Sequence, residues 1–63
     1  MYQIKNAFLV KLHVLAKANT EGYPNLATIE SYIDGTRKPQ ENTVRALAAL
    51  LKVNNWRDLI KSN

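Results

Sequence analysis

The sequence predicts an all-α domain, a compact bundle of four to five short helices. Three observations carry this prediction. Two glycines and two prolines are the only strong breakers in 63 residues, and the stretches between them are rich in Ala, Leu and Lys, which favour helix. Apolar residues within those stretches recur at intervals of three and four. No cysteine is present to build a disulfide scaffold or a cysteine-ligated zinc site, so a packed core has to hold the fold. A chain of this size buries only about 60% of its unfolded surface, so residues 1–63 are read as a single domain.

The interruptions fall at Asn19–Asn25, at Asp34–Gln40 and at Asn54-Asn55. The first helix is predicted from about Gln3 to Ala18, with Ile4, Phe8, Leu12 and Leu15 at helical spacing. Leu9, Val10 and Val14 carry apolar character nearly all round it, and Lys11 projects between Ile4 and Leu15. Phe8, Val10, Leu12 and Val14 also alternate as in a strand. Helix is the preferred reading, with a bend expected near Lys11–His13.

The second helix is predicted over Asn25–Ile33. Asn25 is its N-cap, Leu26, Ile29 and Ile33 form its apolar stripe, and Gly35 lies where a left-handed residue ends a helix. The third runs from about Glu41 to Leu51 and places Val44, Leu47, Ala48 and Leu51 on one face. The fourth is short. Asn55 caps it, Asp58 follows three residues on, and Trp56, Leu59 and Ile60 pack inward.

Nine basic against five acidic residues leave a formal charge of +4. Lys5, Lys11 and Lys17 face no acid in residues 1–19, giving +3. Residues 20–45 hold Glu21, Glu30, Asp34 and Glu41 against Arg37, Lys38 and Arg45, giving −1. Residues 46–63 hold Lys52, Arg57 and Lys61 against Asp58, giving +2. A basic balance of this kind points to polyanionic partners. The apolar stretch Ala7–Ala18 is too short and too interrupted by Lys11, His13 and Lys17 to span a bilayer, and no cleavage site follows it. The expectation is a cytoplasmic protein with no membrane partner.

From Ile29 onward the chain has a distinctive cadence. It reads Ile29-x-x-Tyr32-x-x-Gly35-x-Arg37-Lys38-Pro39, then Thr43-Val44-x-x-Leu47-Ala48-x-x-Leu51-x-Val53, and closes on Trp56-Arg57-Asp58-Leu59-Ile60. This resembles the lambda Cro and repressor class of helix-turn-helix domains, the xenobiotic-response-element type. The resemblance covers Ile29 to Ile60, about half the chain. It implies that the helix beginning near Asn25 is a recognition helix, followed by a basic loop closed by Pro39. In that family two helices precede the recognition helix. Leu15-Ala16 matches the Leu-Ala pair of the second, but Asn19–Asn25 is a longer turn than usual. Either the turn is expanded or the first two helices are fused or rearranged.

The function implied is a sequence-specific, double-stranded DNA-binding transcriptional regulator that acts by promoter occlusion, of the kind found in phages and mobile elements. The recognition helix carries no Arg or Lys. Asn25, Thr28 and Ser31 are its base-reading candidates, since Asn pairs with adenine and Thr touches the thymine methyl. Thr36, Arg37, Lys38 and Asn42 are the candidates for phosphate contact. The closing segment of this family often pairs two copies, which makes Trp56, Leu59 and Ile60 the dimer candidates.

Several residues have a plainer reading. Asn25 serves as a helix cap, His13 is structural, and Tyr23 and Tyr32 are packing residues. Glu30 and Asp34 are a solvated helix face sooner than an acid–base or metal pair. No nucleophile has a base beside it in any motif, so no enzyme, metal or cofactor is expected. A second functional class is a small protein-binding adaptor that modulates a host regulator. In that reading Leu9, Val10 and Val14 form a partner-binding surface.

Overall fold

The computed structural model describes residues 1–19 and 22–61. Thr20 and Glu21, inside the predicted Asn19–Asn25 interruption, lie outside the described residues. Three α-helices are present among those described: α1 (Asn6–Ala18), α2 (Leu26–Asp34) and α3 (Glu41–Leu50). A 3-10 turn at Trp56–Leu59 stands in place of the predicted fourth helix. The fold is therefore all-helical with fewer helices than the predicted four to five.

The first helix runs without a break through Lys11–His13. No Gly or Pro falls between Asn6 and Ala18, and one inward stripe is maintained throughout. That stripe is Leu9, Leu12 and Ala16, whereas Leu15 is 38% exposed. An apolar sequence wrapped round a helix admits more than one stripe, and packing against the other helices selects among them.

Ile4 is buried but lies outside the helix. Lys5 is extended, at φ −61° and ψ 142°, and its N–H donates to the Leu59 carbonyl at 2.8 Å. Ile4 forms an antiparallel bridge with Ile60, and the Lys61 N–H donates to the Gln3 carbonyl at 2.8 Å. The Tyr2 N–H reaches the Pro39 carbonyl at 3.0 Å. The first five residues thus seal the open end of the bundle as an extended segment, which is why the helix starts at Asn6 and not at Gln3.

Local chemistry bounds α2 as expected. The Asn25 side chain accepts from the Thr28 N–H at 3.2 Å, and Gly35 closes the helix at φ 85°. α3 buries Val44, Leu47 and Ala48. Its end is a Schellman turn: the Val53 N–H bonds the Ala48 carbonyl and the Lys52 N–H bonds the Ala49 carbonyl. Lys52, at φ 61°, occupies the left-handed position that glycine usually takes. Asn55 then accepts from the Arg57 N–H to start the 3-10 turn.

One core joins all of these elements. Ile4, Leu12, Ile29, Val44, Leu47 and Leu59 are its fully buried large side chains. Each contributes about 1.5–3 kcal/mol by leaving water. Tyr2, Phe8, Leu26, Tyr32, Trp56 and Ile60 pack round the rim.

Candidate nucleic-acid interface

α2 exposes Ala27, Glu30, Ile33 and Asp34, with Thr28 and Ser31 half-buried; Ile33, which its spacing assigns to the apolar stripe, is 49% exposed and stands outside the core. Short side chains let a helix backbone come close to a groove floor, where a Thr methyl or a hydroxyl reaches a base edge. The Ser31 hydroxyl donates to the Ala27 carbonyl at 3.0 Å, leaving its lone pairs for an outside donor. Thr28 forms one wall of an apolar notch of about 110 Å³ between α2 and α3, together with Tyr23, Tyr32, Thr43 and Leu47. Burial raises the Tyr32 phenol above its ordinary value. It raises that of Tyr23 too, with the nearby Tyr32 adding to the shift. Tyr32 packs at the rim of the core, whereas Tyr23, expected as a packing residue, is 49% exposed.

Asn25 is engaged as the α2 cap through its carbonyl oxygen. A bidentate grip on adenine needs that oxygen, so only its amide N–H groups are left for a base. Glu30 turns toward α1, its Oε2 lying 3.6 Å from His13 Nε2.

The α2–α3 loop is ordered by Asp34. Its Oδ1 accepts from the Thr36 N–H at 3.0 Å and from the Thr36 hydroxyl at 2.8 Å. These two bonds hold the Asp34 carboxyl below its ordinary value. They also use both Thr36 donors inside the loop, so Thr36 has none left for a phosphate. Arg37 and Lys38 are exposed, and neither belongs to an ion pair among the described residues. Beyond the buried Pro39, Gln40 makes no side-chain cap at the start of α3, and Asn42 is exposed in the first turn. An uncapped first turn and two unpaired cations thus lie within a few residues of each other.

Three other cations are engaged elsewhere. Arg45 pairs with Glu41 at 2.7 Å, and both Arg45 and Arg57 stand 5.3 Å from the Trp56 ring centre. Lys11 lies 5.5 Å from the Phe8 ring centre. Among the dimer candidates, Leu59 has no exposed surface and belongs to the core. Trp56 and Ile60 are half-buried, with Trp56 edge-on to Tyr2 at 5.3 Å. Only those two present surface to a second copy.

The apolar surface invoked for an adaptor divides in the same way. Leu9 is core, whereas Val10 and Val14 are 64% and 61% exposed. One further cation has no mark in the sequence: Lys61, which lines one open cavity with Lys38 and the N-terminal segment. No local pattern announces it, because Lys61 is placed by its main-chain bond to Gln3 at the other end of the chain.

No group of three or more His, Cys, Asp or Glu that could hold a metal ion occurs among the described residues. No helix of the described residues is long and apolar enough to cross a membrane. Comparison with protein-family models, curated proteins and solved structures finds no match for this chain.

Proposed function

We propose that this chain is a sequence-specific, double-stranded DNA-binding regulator of the Cro and repressor-like helix-turn-helix type. It lays α2 in the major groove, occludes a promoter and works in the cytoplasm as a homodimer through the Trp56–Ile60 surface. The observation that carries this reading is the continuity of α2, the Arg37-Lys38 loop and the uncapped start of α3. A recognition element is followed at once by two unpaired cations and a helix N-terminus, both of which favour phosphate. The net charge of +4 supports attraction to a polyanion.

The mechanism divides the work. Arg37, Lys38 and Asn42 fix register on the phosphates, and Thr28, Ser31 and the Asn25 amide meet the bases. Replacing Arg37 and Lys38 together by Ala tests this division in a fluorescence binding assay across a salt series. Affinity should fall for every duplex, and the slope of log affinity on log salt should lessen by about 2, near 0.9 for each phosphate no longer neutralised. Unchanged affinity and slope would remove the loop from the interface.

A further inference from the structure

We infer that Lys38 and Lys61 form the two sides of a phosphate seat, which enlarges the proposed DNA interface to the C-terminal end of the chain. The inference rests on the DNA-binding reading for its occupant, but its geometry stands apart from α2. Three main-chain bonds hold the N-terminal segment between the two lysines: Tyr2 to Pro39, Lys5 to Leu59 and Lys61 to Gln3. Pro39 is adjacent to Lys38, so the same short segment fixes both lysine backbones. The result is an open cavity of about 270 Å³ lined by Met1, Tyr2, Gln3, Lys38 and Lys61.

The lining is basic and polar. Among the described residues no carboxylate lines it, and neither lysine takes part in an ion pair. Two ammonium groups at one cavity repel each other, and an anion between them turns that repulsion into two attractions. Gln3 lines the same cavity. A phosphate group is the anion that suits this set, since ammonium groups bind it as point charges without needing a planar fork. The seat adjoins Arg37, which makes a backbone phosphate of the duplex the occupant, in preference to a free ion. Lys52, exposed at the end of α3, does not line the cavity and is the control.

The test compares Lys61→Ala, Lys61→Gln and Lys52→Ala with the unmodified chain in duplex binding over a salt series, with thermal melts to establish folding. Both Lys61 variants should lower the salt slope by about 0.9, the value for one neutralised phosphate, and leave sequence preference unchanged. Lys52→Ala should leave the slope as it was. A wild-type slope in the folded Lys61 variants, with duplex binding intact, overturns the seat and spares the DNA reading. If the unmodified chain binds no duplex, the DNA reading fails, and titration with inorganic phosphate decides the seat alone. NMR shifts at Gln3, Lys38 and Lys61 that saturate then support an anion site for a free phosphate, and their absence overturns it.

Discussion

Glu30 of α2 places a carboxylate oxygen 3.6 Å from His13 Nε2 of α1, bringing an acidic side chain to the joint between the first two helices. The distance is too long for a hydrogen bond. The nitrogen itself is buried and makes no hydrogen bond. An apolar side chain of similar size removes that unsatisfied atom, and a partly exposed pair of this kind stabilises little. His13→Leu should therefore leave unfolding free energy unchanged or raise it by up to about 1 kcal/mol. Urea denaturation measures it, and a loss beyond about 1 kcal/mol contradicts this reading of the pair.

The Schellman turn after α3 yields a stabilising substitution. Lys52 stands in the left-handed region at φ 61°, where an L side chain costs about 1–2 kcal/mol relative to glycine. Lys52→Gly should raise the unfolding free energy by about 1 kcal/mol, after allowance for the greater freedom of glycine in the unfolded chain. A loss of stability in the same denaturation assay shows that the lysine side chain has a role the backbone does not reveal.

α2 and α3 are legible in the sequence because their boundaries are written locally. Asn25 caps, Gly35 adopts positive φ, and Pro39 stops the loop before α3. The first helix is legible only as a helix. Ile4 continues the spacing of Phe8 and Leu12, yet its place is set by a bridge to Ile60 at the far end of the chain. The choice of Leu9 over Leu15 for the core likewise depends on what packs against α1.

The candidate site follows the same rule. Arg37 and Lys38 stand out because loop position and cadence mark them. Thr36 reads as a phosphate ligand from its place beside them, but Asp34, two residues away, captures both of its donors. Lys61 carries no such mark, because only tertiary structure brings it to the cavity that Lys38 also lines.

The inward stripe of α1 is directly testable. Leu12 has no exposed surface, and Leu12→Ala should cost about 2–5 kcal/mol through the burial forgone and the cavity left behind. Leu15 is 38% exposed, so Leu15→Ala should cost less than about 1 kcal/mol. Equal losses in chemical denaturation contradict the burial pattern.

Asp34 predicts a pH response in the α2–α3 loop. Its carboxyl is lowered from the ordinary 3.8 by the two Thr36 hydrogen bonds. A group lowered in the folded state stabilises above its unfolded value, and that support is lost as pH falls through the folded one. The Thr36 amide resonance should titrate with a midpoint below 3.8, and Asp34→Asn should abolish the transition. A midpoint at or above 3.8 contradicts the Asp34–Thr36 arrangement.

The central claim, that α2 reads DNA sequence, is tested most directly by selection from a random duplex pool at about physiological salt, with the enriched pool sequenced. Any basic domain retains DNA loosely, so enrichment is the informative quantity and not retention. The predicted result is an enriched two-fold symmetric site, its half-sites spaced by about one helical turn. Retention of the pool without any enriched sequence would contradict the claim.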